Sequence, residues 1–131
     1  MSLLAVLCVR DQSSRRPEKW AADVGGLPVL AHIVARLRLS RSVDKIVVAT
    51  PEHNHGRIPD WCVANGVPVV YGPEDDLVSR FGEAVYHHAK EGDFVFRAMT
   101  DQTFLDRRAQ DFSTSVMRAH TWDYLLPLTF D

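Results

Sequence analysis

Ten consecutive residues near the start of the chain, Arg10 to Lys19, hold four cations (Arg10, Arg15, Arg16, Lys19) and two hydroxyls (Ser13, Ser14). Groups packed this densely can hold a polyphosphate, because Arg and Lys supply positive charge and directed N–H donors. Much further along, Thr100-Asp101-Gln102-Thr103 follows an apolar run that ends at Met99. A carboxylate at such a strand end, facing a cationic loop, can hold a magnesium ion that neutralises charge on leaving phosphate oxygens. The plain alternative is a solvated loop and an isolated turn aspartate, since charge-rich loops are common on surfaces. His53-Asn54-His55 has the spacing of a metal-binding pair but lacks a third ligand nearby, which favours a simple exposed loop.

The elements that must position these groups are legible as alternating periods. Leu3 to Val9 is almost continuously apolar, as a strand covered on both faces requires. Asp11 to Glu18 is polar and predicts no regular element. After a Gly25-Gly26 turn, Val29, Leu30, Ile33, Val34 and Leu37 recur at helical spacing, which predicts a helix from Pro28 to about Leu39. Lys45 to Ala49 reads as a second buried strand, Ile58 to Asn65 as a short helix closed by Gly66, and Pro68 to Tyr71 as a third strand.

Asp75 or Asp76 is placed to cap a helix that puts Leu77, Val78, Phe81, Ala84, Val85 and His88 on one side. Arg80, one turn after Asp76, is spaced for an ion pair with it. Tyr86, like Phe81, Phe94 and Phe96, falls on a predicted core position. Asp93 to Met99 returns to strand character, Arg107 to His120 forms a last helix, and Tyr124 to Phe130 predicts a closing strand. The alternation implies a single domain over residues 1–131, a three-layer α/β/α sandwich with a mostly parallel, Rossmann-like sheet. In such sheets ligands sit beyond the carboxyl ends of the strands, which is where both candidate loops would open.

Composition limits the rest. With 131 residues and 46% hydrophobic content, a core can remove roughly 68% of the unfolded surface from water without disulfides or a structural metal. No window offers an unbroken apolar membrane span, so the expected location is cytoplasmic and no membrane partner is expected. A net charge of −2 lacks the broad basic footprint of a nucleic-acid-binding domain. Cys8 and Cys62 lie in apolar surroundings without metal-binding spacing, which predicts buried free thiols. The 12 Arg to 3 Lys suit phosphate contacts, although a GC-rich genome produces the same bias.

The segment Val6-Leu7-Cys8-Val9-Arg10-Asp11-Gln12-Ser13-Ser14-Arg15-Arg16-Pro17-Glu18-Lys19 resembles the first loop of the spore-coat polysaccharide type of cytidylyltransferases, relatives of the CMP-sialic acid and CMP-KDO synthetases, whose pattern is close to I-I-Q-A-R-M-G-S-T-R-L-P-G-K. The resemblance continues through Gly25 to Leu30, Val43 to Thr50 and Gly72 to Phe81. Arg97-Ala98-Met99-Thr100-Asp101 is similar to the family's R-x-T-G-D, Leu105-Asp106 to its P-L-I-D, and Trp122-Asp123-Tyr124 to its Y-D-Y. It implies a nucleotidyltransferase fold and CTP-dependent transfer of a cytidylyl group, with Mg2+, to a sugar or sugar acid. Arg10, Ser13, Arg15 and Lys19 match the nucleotide-binding loop, Ser14 lies within it, and Lys19 and Asp101 are the implied catalytic residues, with Asp101 on the metal.

The chain departs from that pattern at named positions. Gln12 and Glu18 replace glycines, Cys8 replaces a glutamine at the base-binding edge, and Thr100 and Gln102 flank Asp101 in place of a glycine and a proline. Family members are also considerably longer, so the resemblance implies a fold truncated after about the fourth or fifth strand. An alternative expectation follows: a catalytically degenerate module that serves assembly or binding in a homo-oligomer or larger complex. Its contact would be the C-terminal edge, through the cluster of Trp61, Trp122, Tyr124, Leu125, Leu126 and Leu128.

Overall fold

Leu3–Cys8 forms strand β1, and all six of its residues are buried. The period of two sorts them: Ala5 and Leu7 join one apolar cluster, Leu4, Val6 and Cys8 the other. The computed structural model describes residues 2–10, 18–52, 57–100 and 104–126. After β1 come a short 3-10 turn at Lys19–Ala21 and an antiparallel ribbon of β2 (Asp23–Val24) and β3 (Leu27–Pro28). Helix α1 (Val29–Leu39), β4 (Lys45–Pro51), α2 (Arg57–Ala64), β5 (Val69–Gly72), α3 (Leu77–His88), β6 (Phe94–Met99) and α4 (Arg107–Ala119) complete the order.

The main sheet is wholly parallel, in the order β5-β4-β1-β6. Leu30, Ile33, Val34 and Leu37 of α1 and Ile58 and Cys62 of α2 close over one face, while Leu77, Phe81 and Ala84 of α3 cover the other. Each fully buried Leu or Ile contributes roughly 1.5–3 kcal/mol of transfer free energy. Asp111 of α4 accepts hydrogen bonds from the Ser40 and Ser42 hydroxyls just beyond α1, which places α4 beside α1. The architecture is thus the three-layer α/β/α sandwich that the alternation predicted. No helix among the described residues is long and apolar enough to cross a membrane.

Most boundaries fall within two residues of the periodicity, because capping chemistry defines them. Pro28 precedes α1, Asp76 caps α3 through the Ser79 N–H at 3.0 Å, and Asp106 caps α4 through the Arg108 N–H at 2.9 Å. Gly66, which follows α2, takes the left-handed φ of 69°. Both cysteines are free and buried, as their apolar surroundings predicted.

Three expectations are overturned. Val78 and Tyr86 are 81% and 82% exposed, because α3 turns toward the sheet the stripe that carries Arg80 and Ala84. Tyr124 to Leu126 form no strand; they run irregularly beside β6, and residues 127–130 of the expected closing strand lie outside the described residues. Arg80 does not pair with Asp76. It is 4% exposed, and its guanidinium donates to the Pro73 and Glu74 carbonyls at 3.4 and 3.3 Å. The carboxylate of Asp76 is held by Ser79, whose hydroxyl and N–H keep its pKa below the usual carboxylate range.

Candidate active site at the carboxyl edge of the sheet

From β1 the chain proceeds outward through β4 and β5, then crosses back to place β6 on the far side of β1. The reversal leaves a crevice beyond the carboxyl ends of β1 and β6, where doubly wound sheets bind ligands. Register makes the two ends level: Leu7 pairs with Ala98 and Cys8 with Met99. The loop of the cationic segment therefore departs beside the strand end that leads to Asp101. At the opposite edge, the Ser2 and Leu3 N–H groups donate to Asp93 and Asp44 at 3.0 and 2.8 Å.

Of the predicted site residues, Arg10 and Lys19 are described; Ser13, Ser14, Arg15 and Asp101, like the His53-Asn54-His55 pair, lie outside the described residues. Val9 donates its N–H to Ala49 at 2.9 Å, the last tie to the sheet, and Arg10 then stands exposed at the edge. The chain is anchored again by Trp20, buried in the core at 3% exposure. Ala22 donates to the Lys19 carbonyl and Val29 donates to the Ala22 carbonyl, so half-buried Lys19 is fastened to the start of α1. Because α1 connects two parallel strands, its start lies at the same edge as Arg10. The structure brings both cations to the predicted rim.

Glu18 has φ 52° and ψ 34°, the left-handed conformation, and is the one non-glycine residue with positive φ among the described residues. This position matches a glycine in the loop pattern, for the reason that glycine enters this region without steric cost. The Glu18 carboxylate pairs with Arg57 at the start of α2, and the same guanidinium lies over the Trp20 ring at 5.4 Å. Its negative charge is thereby drawn onto a cation of the neighbouring helix. Glu18→Gly is expected to be more stable than Glu18→Ala by about 1 kcal/mol, since both lose the ion pair but only alanine retains the strain. Urea denaturation of the two variants checks this, and an alanine variant of equal or greater stability refutes the strain.

Sequence reasoning missed a second group of residues on the α3 side. Gly72 ends β5 so close to α3 that a Cβ there would sit 2.7 Å from the Arg80 Cα. That approach sets the buried Arg80 side chain near Cys8 at the carboxyl edge. Arg97 of β6 also reaches this corner and donates to the Met99 sulfur at 2.8 Å. Burial pushes the Cys8 thiol upward, while Arg80 and Arg97 pull it back in part; burial pushes Cys62 up to about 11. Neither thiol is a ready nucleophile near neutral pH. The Nε of Arg80 is buried and has no hydrogen-bond partner among the described residues. The signal available in sequence was Gly72, whose need for close approach could have been asked about.

The sequence model of the cytidylyltransferase family matches residues 4–117. The chain belongs to the cytidylyltransferase family. Among curated relatives, it is 29% identical over 114 residues to the 3-deoxy-manno-octulosonate cytidylyltransferase of Anaeromyxobacter dehalogenans, covering 87% of this chain and 46% of the relative. It is 27% identical over 127 residues to the 8-amino-3,8-dideoxy-manno-octulosonate cytidylyltransferase of Shewanella frigidimarina, covering 95% of this chain and 51% of that one. Among solved structures, a cytidylyltransferase from Leptospira borgpetersenii superposes with TM-score 0.82 at 24% identity, over 92% of this chain and 50% of that one. A CMP:2-keto-3-deoxy-manno-octonic acid synthetase complexed with CTP gives TM-score 0.78 at 23% identity, covering 91% and 48%. The chain spans about half the length of the curated relatives it matches. For this cytidylyltransferase family member, the structural likeness establishes the fold, and the family match rests on its own sequence.

Proposed function

We propose that this chain binds CTP with Mg2+ at the carboxyl edge between β1 and β6 and transfers the cytidylyl group to a sugar acid. The observation that carries the reading is the juxtaposition of Arg10 and Lys19 with the end of β6 in a chain of the cytidylyltransferase family. The named activities of its curated relatives supply the acceptor class, a 3-deoxy-octulosonate. An acceptor hydroxyl oxygen would bond to the α-phosphorus as the bond to the bridging oxygen of the pyrophosphate breaks, with release of the hydroxyl proton.

Arg10 and Lys19 would hold the triphosphate and offset the charge that develops on the leaving pyrophosphate. Asp101, the first residue after the described end of the β6 segment, is the acidic group for the metal. One carboxylate together with substrate phosphates suits Mg2+, which is commonly bound by one or two carboxylates and keeps several other oxygen ligands. When bound, the ion would supply charge neutralisation on the phosphates. Arg80, buried at the α3 side of the carboxyl edge, would favour the base through its positive charge and not through its Nε, which is closed off from solvent.

Thermal-shift titration with CTP, UTP, ATP and GTP, each with and without magnesium, tests the reading. A CTP-selective, magnesium-dependent shift is expected, since a ligand at about 100 times its Kd adds ~2.7 kcal/mol of stability. Absence of a shift with all four nucleotides defeats it. The second reading, a non-catalytic assembly module, draws on β6 being an edge strand beside exposed Tyr124 and Leu126, and it predicts an oligomer under the same conditions.

A further inference from the structure

On the face away from Arg80 and Cys8, α4 and the turn after α1 enclose an open cleft of about 580 Å3. Arg107, Arg108 and Arg118 of α4 and Arg41 of the turn contribute four guanidinium groups to its walls. The one acid among the described residues that line the cleft, Asp111, is already committed. Its carboxylate accepts from the Ser40 and Ser42 hydroxyls and from the Arg41 and Ser42 N–H groups at 3.3 and 3.1 Å. Burial alone would raise this carboxyl, but the hydrogen bonds from Ser40, Ser42 and Arg41 outweigh it and hold the pKa at about 2.

The cleft hydroxyls are committed as well. Ser42 donates to Asp111, and Ser115 donates to the Phe112 carbonyl at 2.7 Å. Arg118 lies over the Phe94 ring at 5.0 Å, whereas Arg41, Arg107 and Arg108 make no ion pair among the described residues. Arg118 lies eleven helical positions beyond Arg107, a rise of about 16 Å, so the cations are distributed along the cleft and not gathered at one point. Like charges lining one concave surface with their only acid occupied leave a positive field that attracts an anion. Guanidinium forks favour phosphate oxygens in particular, which they can contact in pairs.

We propose that this cleft is a second anion site, separate from the sheet edge, for clustered phosphates such as pyrophosphate or the polyphosphate end of a nucleotide. The α4 helix links it to the candidate active site: Asp106 caps α4 only five positions after Asp101. An anion held between Arg41 and Arg108 would brace α4 against α1, and so steady the helix that follows the metal-loop segment. The inference rests on the cleft alone and stands independently of the transfer reaction.

Isothermal titration of the full chain with inorganic pyrophosphate, in EDTA at about 150 mM ionic strength, tests it. The double variant Arg41→Gln/Arg108→Gln is expected to bind about tenfold more weakly or worse, because two charge-assisted contacts are lost. Lys19→Ala is expected to lose only the share of pyrophosphate binding that belongs to the sheet edge and to keep the share that the double variant weakens. Both substituted arginines are exposed and bear no ion pair among the described residues, so the double variant should retain the parent's Tm; Arg108→Glu alone provides a second, stronger loss. Comparable binding of pyrophosphate, CTP and ATP supports a reader of phosphates. Unchanged binding by the double variant, or binding that disappears in Lys19→Ala instead, overturns the site.

Discussion

Asp101→Asn is expected to lower magnesium-dependent pyrophosphate release by about 100-fold or more, the scale on which loss of one preorganised transition-state contact is felt. The assay supplies CTP and a 3-deoxy-octulosonate acceptor. Asparagine keeps the volume and one oxygen but removes the charge that a hard divalent cation requires. The position matters because β6 ends level with β1, with Met99 opposite Cys8, and Asp101 follows Met99 by two places in the sequence. Arg10 leaves the neighbouring strand at the same edge. Helix α4 is capped by Asp106, and Tm should be retained in Asp101→Asn. In the same assay Lys19→Ala should raise the CTP requirement without abolishing the response to magnesium. Unchanged pyrophosphate release in Asp101→Asn would remove Asp101 from the mechanism.

The second large effect is expected at Arg80, where stability and binding should separate. Arg80 is buried without an ion pair among the described residues; the Pro73 and Glu74 carbonyls accept from its guanidinium, and Nε has no partner among those residues. Keeping an uncompensated charge in such a place is costly, and buried ionic groups can often be exchanged for apolar ones of similar volume with little loss or a gain. Arg80→Met should therefore leave the Tm of the ligand-free protein equal or higher. CTP affinity should fall by about tenfold, the scale of ~1.4 kcal/mol for removing one positive charge held beside the ligand. Discrimination between CTP and purine nucleotides should shrink in parallel. A variant that unfolds more easily yet binds CTP like the parent would make the guanidinium a structural tie and nothing more.

The two predictions rest on residues of very different legibility. Asp101 was accessible from the sequence because a polar tetrad after an apolar run marks a strand end, and the motif around it resembles the family's. Arg80 was not. On a helical wheel it is one turn from Asp76, and local spacing favours an ion pair. Tertiary structure reverses the choice: Asp76 is used by Ser79 as the helix cap, and the near contact of α3 with Gly72 carries Arg80 inward to Cys8. Val78 and Tyr86 fail for a related reason, since an amphipathic stripe several residues wide does not specify which of its margins meets the sheet.

Glu18 shows a similar division. Its charge, set in a loop of cations, reads as an obstacle to an anionic ligand, yet Arg57 from α2 takes up that charge across 39 positions of sequence. Its left-handed backbone is the property the matched glycine hints at, but only the folded chain exhibits it.

What the sequence by itself determined is everything carried by local period and local chemistry. The buried strand Leu3–Cys8, the apolar stripe of α1, the caps at Asp76 and Asp106, and the αL glycine after α2 all depend on residues a few positions apart. The alternation of strands and helices then narrowed the architecture to a parallel sheet between helical layers. Only the tertiary structure decided the strand order that sets β6 beside β1, the inward turn of Arg80, the pairing of Glu18 with Arg57, and the clamp of Asp111 on Ser40 and Ser42. Each of these joins groups distant in sequence, and burial or charge compensation at such contacts is a property of the assembled layers that no periodicity encodes.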